Sequence, residues 1–302
     1  MTIPAPSATR HLGPGERDQP MTLPTQDMPE FGTGRENSFE IQGPMGGTIT
    51  IPIAPEPNLP SDATSAAAAR DHFAEHGYAV VRGFVPPARC QEIIRVFESE
   101  VKKWPGALPR YPTSADEPSR FDAQGRIENG FMGAHRWPHP ELGGFTRLIG
   151  ELLAPDGDVA RAASVFMSGP SVLIDSFYFE VNGNTTPHRD IDFLPSAEKI
   201  VVMWMAFEDI GAGAGRLYLY PDSHRDHSPA QAHSMVTDDY SQATLETARC
   251  YGTPCTAPAV RRGDLIAFNG AIVHGSLETV DRASTRHSLT AHFGPASAVI
   301  QR

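Results

Sequence analysis

A histidine and an aspartate two positions apart, His188 and Asp190, have the residue types and spacing that suit metal binding. In an extended chain, residues i and i+2 point to the same side, so the imidazole and the carboxylate can face one ion. His274 follows a short apolar run, at a position typical of the mouth of a β-barrel. Two histidines and one carboxylate on one face, with the opposite positions open, are typical of non-haem Fe(II) oxygenases. We therefore predict that His188, Asp190 and His274 bind iron and form the catalytic centre.

A cation that could bind a cosubstrate lies twelve positions after His274, at Arg286. The open positions of such an iron site accept a cosubstrate and O₂, and a dicarboxylate needs a cation at the end remote from the metal. A guanidinium group offers a bidentate fit that an ammonium group does not. Arg286 and Ser288 would project to the same side of a closing strand. We predict that Arg286 is this cation, with Arg282 as the alternative.

Short β-rich runs, separated by turn residues, position these side chains. The runs cover residues 171–181, 199–207, 216–220, 264–268 and 288–293. Several short strands without alternating helices indicate an all-β sandwich or barrel, not a parallel α/β sheet.

Two helices and a strand are predicted before these runs. The first helix begins at Ser61 or Asp62 and ends at Gly77, and a strand follows over residues 78–82. A second helix opens after Pro86. Its apolar residues recur at i, i+3, i+4, i+7 and i+11, so one face must be buried. They are Cys90, Ile93, Ile94, Phe97 and Val101.

The remaining segments differ in composition. Residues 1–60 contain 11 of the 28 prolines, and we predict an extended or disordered arm with one short edge strand over residues 47–53. Residues 61–302 are assigned to a single domain. Within it, residues 105–142 are irregular, which favours an active-site lid over a plain surface loop. The basic and polar side chains of this segment include Arg120, Arg126, His135 and Arg136, which could suit an anionic or polyhydroxylated small molecule.

The overall charge narrows the choice of partners. A formal net charge of −11 and a pI near 5.5 argue against nucleic acid and anionic membranes, because both require a cationic face. No stretch approaches the ~18 apolar residues that span a bilayer, and no leader sequence is evident. The three cysteines lack zinc-site spacing and are expected to be reduced thiols. We predict a cytoplasmic protein that acts on a small molecule, of undetermined oligomeric state.

Six segments occur in an order and at spacings that resemble a known family. They are residues 76–85, 204–209, 215–217, 221–224, 274–276 and 286–288. Over most of residues 70–293, the chain resembles the phytanoyl-CoA dioxygenase family of Fe(II)- and 2-oxoglutarate-dependent oxygenases. The resemblance implies a mainly β fold, with a double-stranded β-helix (jelly-roll) core and flanking N-terminal helices. It also implies Fe(II), 2-oxoglutarate and O₂ as cofactor and cosubstrates.

The resemblance also assigns roles to individual residues. The family's three iron ligands fall on the residues already singled out: His188, Asp190 and His274. Arg286 with Ser288 would bind the remote carboxylate of 2-oxoglutarate, and Trp204 would form a wall of its pocket, although Trp204 also suits a buried core position. Related halogenases lack the carboxylate ligand. Asp190 therefore favours hydroxylation, or another C–H oxidation such as desaturation or ring closure.

Three residues need separate treatment. Asp222 stands where family members commonly have glycine, but Asp tolerates a left-handed turn, so we expect the turn to persist. His224 is then a structural turn residue and not a fourth ligand. Asp192 ranks second to Asp190 as the carboxylate ligand.

Two other functions are compatible with parts of this pattern. A cupin-like jelly roll acting as isomerase, hydrolase or non-catalytic metal sensor would share the metal triad but would not need Arg286. A β-sandwich interaction module would bind no metal.

Overall fold

Short antiparallel strands dominate the computed structural model, which describes residues 38–42, 45–52, 63–181, 185–193, 199–211, 213–226, 236–251, 255–277, 279, 281 and 283–299. In chain order the strands are β1 (Ser38–Gln42), β2 (Thr48–Pro52), β3 (Tyr78–Val81), β4 (Leu108–Pro109), β5 (Asp116–Glu117), β6 (Phe131–Met132), β7 (Ser171–Phe179), β8 (Thr185–His188), β9 (Val201–Ala206), β10 (Leu217–Leu219), β11 (Leu265–Asn269), β12 (His274–Ser276) and β13 (Ser288–Pro295). The helices are α1 (Ala66–His76), α2 (Pro87–Val96), α3 (Gly143–Leu152), α4 (Asp158–Met167), α5 (Asp238–Arg249) and α6 (Ala296–Val299), and a π-helical turn, Phe97–Val101, extends α2.

Two antiparallel sheets pack together through a shared hydrophobic cluster. The larger sheet has the strand order β3-β11-β9-β13-β7-β6, and the smaller sheet has the order β10-β12-β8. Buried side chains of both sheets form the cluster, among them Trp204 of β9, Ile266 of β11 and Leu219 of β10. Two opposed antiparallel sheets are the arrangement of a jelly roll. The predicted mainly β fold class is confirmed.

Helices cover the outer face of the larger sheet. Because side chains alternate along a strand, Met203 and Met205 of β9 point away from Trp204 and join a second core cluster. That cluster includes Phe97 of the π-helical turn and Phe166 of α4. The helices pack on the face of β9 that carries Met203 and Met205. Trp204 is on the opposite face and therefore points towards the smaller sheet. Within the described segments, no helix combines the length and the apolar character needed to cross a bilayer.

Five of the predicted strands are present as β7, β9, β10, β11 and β13, with ends within two residues of those predicted. The first helix begins later than predicted, since its N-cap is Ser65, whose hydroxyl accepts a hydrogen bond from the Ala68 amide at 3.2 Å. Ser61 and Asp62 lie outside the described residues. The helix ends at Gly77, where φ is 81°.

The described part of the N-terminal arm is a β-hairpin. The strand predicted over residues 47–53 corresponds to β2, but it pairs with β1 and not with the edge of a larger sheet. The carboxylate of Asp238 accepts hydrogen bonds from the amides of Met45 and Gly47, which ties this hairpin to the start of α5.

A buried arginine organises part of the predicted lid, residues 105–142. The guanidinium of Arg110 donates hydrogen bonds to the carbonyls of Glu117 and Asn129 and to the hydroxyl of Ser119. It also lies 3.8 Å from the centre of the Phe131 ring. Because β6 pairs with β7, this segment is joined to the larger sheet.

Candidate active site

The three predicted iron ligands meet at one end of the smaller sheet. His188 is the last residue of β8 and His274 is the first residue of β12, and the antiparallel register places them opposite each other. Arg189 is extended, and Asp190 then begins a 3₁₀ turn that ends at Asp192. The extended residue between them keeps the side chains of His188 and Asp190 on the same side.

The ligand atoms are close enough to share one ion. The Nε2 atom of His188 lies 3.5 Å from Oδ1 of Asp190, and Nε2 of His274 lies 3.6 Å from Oδ2. An ion at about 2.1 Å from each ligand atom spans donors up to about 4.2 Å apart. Both histidine–aspartate separations fall within this span, and all three ligand atoms lie within 4.8 Å of one another. This geometry fits a metal held by two histidines and one carboxylate.

Backbone carbonyls fix the tautomers of both histidines. Nδ1 of His188 lies 2.8 Å from the Thr186 carbonyl oxygen, and Nδ1 of His274 lies 3.0 Å from that of Ile272. A carbonyl oxygen only accepts hydrogen bonds, so each Nδ1 carries a proton. Each Nε2 lone pair is thereby directed to the metal position.

The electrostatics of the group favour an anionic carboxylate. Burial opposes ionisation of Asp190, but His274, His292 and His188 together hold the pKa of its carboxyl well below the ordinary value. Burial lowers the pKa of His274 to about 4, so its ring is neutral at pH 7. Burial also acts to lower the pKa of His188, but contact with Asp190 raises it above the ordinary value. A carboxylate and a neutral imidazole are the ligand forms that bind a divalent metal.

The alternative carboxylate ligand, Asp192, is held by other partners. The carboxylate of Asp192 accepts two hydrogen bonds from Arg189, at 2.8 and 2.9 Å, and one from the Tyr240 hydroxyl at 2.7 Å. His224 lies in a 3₁₀ turn after Asp222, whose φ of 70° is the predicted left-handed conformation.

A cavity of about 510 Å³ opens from the metal position. Arg286 and Trp204 line it, and the Arg286 guanidinium carbon lies 5.4 Å from the centre of a Trp204 ring. Nη1 of Arg286 donates to the Gly215 carbonyl at 2.6 Å. Burial lowers the pKa of Arg286 to about 9, so the group remains cationic at pH 7.

Ser276 also lines this cavity, whereas Ser288 is absent from its described lining. Ser288 is fully buried on β13. The role assigned to Ser288 therefore stays a prediction.

Part of the predicted lid forms a wall of the cavity. Tyr111, Pro112, Ser114 and Met132 line it. The basic and polar side chains singled out from the sequence are absent from the described lining and contact neighbouring polar groups. These contacts are Arg120 with Glu117, Arg126 with Asp122, His135 with Ser176 and Arg136 with Asp175. Arg282 lies outside the described residues.

Sequence reasoning missed His292, whose Nε2 lies 3.1 Å from Oδ2 of Asp190. Strand periodicity could have found it, since His292 lies six positions after Arg286 and therefore shares its face of the strand. No periodicity could have identified Tyr111 as a cavity residue, because it belongs to an irregular segment.

Known proteins resemble this chain in sequence. The sequence profile of the family described as "Phytanoyl-CoA dioxygenase (PhyH)" matches residues 73–287. Phytanoyl-CoA dioxygenase 1 of Oryza sativa subsp. japonica is 28% identical over 142 residues, which cover 44% of this chain and 49% of that protein. The chain thus spans about half the length of this relative. Phytanoyl-CoA dioxygenase domain-containing protein 1 of Bos taurus is 23% identical over 266 residues, covering 76% of this chain and 89% of that protein.

Several solved structures share the fold. The epimerase SnoN, crystallised with Fe³⁺, alpha ketoglutarate and nogalamycin RO, gives a TM-score of 0.55 at 16% identity, over 76% of this chain and 84% of that one. The carbocyclase SnoK from nogalamycin biosynthesis gives 0.56 at 18% identity, over 78% and 87%. EctD from S. alaskensis, with 2-oxoglutarate and 5-hydroxyectoine, gives 0.56 at 17% identity, over 82% and 84%.

Proposed function

We propose that this chain, which belongs to the phytanoyl-CoA dioxygenase family, hydroxylates or otherwise oxidises a C–H bond of a small organic molecule. As a member of that family, it is an Fe(II)- and 2-oxoglutarate-dependent oxidoreductase of the dioxygenase type. The observation that carries the proposal is the His188–Asp190–His274 group at one side of a cavity that also contains a buried, cationic Arg286.

Each residue has a defined task in this proposal. His188, Asp190 and His274 hold Fe(II), which supplies the oxidising chemistry with 2-oxoglutarate and O₂. Arg286 binds the remote carboxylate of 2-oxoglutarate, and Trp204 forms a wall beside it. The sequence predicts that the Ser288 hydroxyl helps Arg286 to bind this carboxylate. Ser276, which lines the cavity, is the alternative for this role.

The cavity supports a compact substrate. Aromatic and apolar side chains form much of its wall, including Tyr111, Phe177, Phe179 and Phe193, and such surfaces bind ring systems and hydrocarbon. An acyl-CoA would bring a nucleotide and three phosphate groups that need cations. Three arginines of the lid segment, Arg120, Arg126 and Arg136, instead lie 2.6–3.5 Å from carboxylates. The similar proteins SnoN and SnoK come from nogalamycin biosynthesis, which favours bacterial secondary metabolism over acyl-CoA oxidation.

The test needs no knowledge of the substrate. Fe(II) and then 2-oxoglutarate are added without oxygen to metal-free wild type and to His188→Ala, and visible spectra are recorded. We expect a weak metal-to-ligand charge-transfer band in the wild type alone. Metal binding without that band would overturn the proposal in favour of the cupin-like alternative, and the absence of metal binding would favour the interaction module.

A further inference from the structure

His292 contacts the metal group without belonging to it. The residue lies on β13, is 5% exposed, and lines the cavity. Its Nε2 lies 3.1 Å from Oδ2 of Asp190, but it is not part of the set of mutually close ligand atoms. Its place is therefore beside a ligand, on the cavity side of the site.

Only one of the two groups in this contact can donate the hydrogen bond. An ionised carboxylate only accepts hydrogen bonds, so Nε2 of His292 carries the proton and donates it to Oδ2 of Asp190. The other carboxylate oxygen, Oδ1, is the one that lies 3.5 Å from Nε2 of His188. A hydrogen bond to one oxygen restricts rotation of the carboxylate and thereby holds both oxygens in place.

The hydrogen bond to Asp190 is the polar contact that the described residues provide for the His292 ring. Buried polar atoms are normally hydrogen-bonded, yet Nδ1 of His292 has no hydrogen-bond partner among the described residues. Asp190 is therefore the group that orients the ring, and the Phe177 ring packs against it at a centroid distance of 5.2 Å. Packing and hydrogen bonding together restrict the orientation of the imidazole.

We propose that His292 is a positioning residue that orients the Asp190 carboxylate for metal binding. The inference rests on the proposed function, because it takes Asp190 as a metal ligand. Outer hydrogen bonds of this kind typically change metal affinity by about 10–100-fold. Loss of the Nε2–H donor should weaken metal binding by a factor in that range.

Matched substitutions separate the donor from the volume of the ring. His292→Gln can place an amide N–H where histidine has Nε2, whereas the shorter side chain of His292→Asn reaches only the Nδ1 position. His292→Leu removes both polar atoms. Thr290→Val changes another cavity-lining residue on the same strand face and serves as the control.

The measurement is the dissociation constant for Co(II), obtained from the visible ligand-field spectrum of the metal-titrated protein without oxygen. We expect about 10–100-fold weaker binding for His292→Leu and His292→Asn, and values within threefold of the wild type for His292→Gln and Thr290→Val. Melting temperatures of the metal-free variants identify any general loss of folding. The glutamine–asparagine comparison remains decisive if the leucine variant is unstable.

Equal Co(II) affinity in all four variants and the wild type would overturn the positioning role and leave the proposed function intact. Equal weakening in His292→Gln and His292→Asn would also overturn it, because the effect would then follow loss of the ring and not of the Nε2 donor. A wild type that binds no Co(II) would instead count against the proposed function itself.

Discussion

At the scale of single residues, hydrogen bonds to the backbone orient the two histidines of the site. The Thr186 and Ile272 carbonyls set the tautomers of His188 and His274, the two proposed histidine ligands. Both carbonyls belong to residues two positions before the histidines that they orient, so each ligand is positioned by its own stretch of backbone. This local arrangement is available to the metal-free protein, which should bind Fe(II) without large rearrangement.

The cation at Arg286 should control binding of 2-oxoglutarate and not of metal. Arg286→Ala removes a charge-assisted hydrogen-bonding group, which typically contributes about 1.5–3 kcal/mol. We expect a 10–100-fold higher dissociation constant for 2-oxoglutarate, read from the anaerobic charge-transfer band, with Fe(II) affinity unchanged. Arg120→Ala, an exposed side chain of the lid segment, is the matched control and should leave both constants unchanged. Unchanged 2-oxoglutarate binding by Arg286→Ala would assign the carboxylate to another residue.

The carboxylate at Asp190 should be essential for turnover. Asp190→Ala removes the anionic ligand and leaves two buried histidines, so we expect no 2-oxoglutarate-dependent succinate formation above the level without enzyme. Succinate is measured by chromatography, alongside circular dichroism to establish folding. A variant that forms succinate at the wild-type rate would remove Asp190 from the ligand set.

At the scale of secondary structure, the site is held by two short strands. Strands β8 and β12 have four and three residues, and their antiparallel pairing brings His188 and His274 together. Gly275 permits the close approach, since a Cβ atom there would lie 2.3 Å from the Thr185 carbonyl oxygen and 2.2 Å from the Tyr218 hydroxyl. The glycine is therefore a requirement of the sheet and not of a turn.

A methyl group at residue 275 should separate the two strands. Overpacking of this kind typically costs about 1–3 kcal/mol, and we expect Gly275→Ala to lose at least that much free energy of unfolding, as measured by urea denaturation. Because His274 is the adjacent residue, Co(II) affinity should also fall by tenfold or more. In Gly143→Ala the new Cβ meets open space, so stability should remain within about 0.5 kcal/mol of the wild type. Equal stability of the two variants would contradict the close approach.

Periodicity explains which elements could be predicted from the sequence. The longer apolar runs predicted β7, β9, β11 and β13, because a β-rich run of five or more residues bounded by turn residues is a clear signal of a strand. Strands β8 and β12 are too short and too polar to give one, yet residue type, spacing and family resemblance singled out His188 and His274 at their ends, which the structure brings together with Asp190. Helix α5 was missed, since its mostly polar sequence buries only a narrow face, which includes Leu245 and Ala248.

At the scale of the whole molecule, the helical layer and the larger sheet meet at a buried histidine. His287 is 3% exposed, and its Nδ1 forms a hydrogen bond with the Tyr178 hydroxyl at 2.8 Å. The carboxylates of Glu98 and Glu180 lie close to His287. Both contact the Lys102 ammonium, at 3.0 and 2.5 Å, and form an ion-pair network with it. No sequence pattern indicated this arrangement, because it combines residues in or next to the π-helical turn, β7 and β13, which are far apart in the chain.

This histidine should make the protein sensitive to acid. Burial, with a smaller contribution from Lys102, lowers the pKa of His287 to about 3, whereas a histidine in the unfolded chain titrates near about 6.5. Between these values the unfolded state binds a proton that the folded state does not, so stability falls as the pH decreases through this window. At pH 5 the loss relative to pH 8 is about 2 kcal/mol from this residue.

Urea denaturation of the metal-free protein at pH 8 and pH 5 measures that loss. We expect His287→Gln, which has no titrating ring, to reduce the decrease in unfolding free energy between the two pH values by about 2 kcal/mol. Tyr178→Phe removes the hydrogen bond but keeps the buried imidazole, so it should lower stability at both pH values and retain the wild-type pH dependence. If His287→Gln has the same pH dependence as the wild type, protonation of His287 does not drive acid unfolding, and the other buried histidines must account for it.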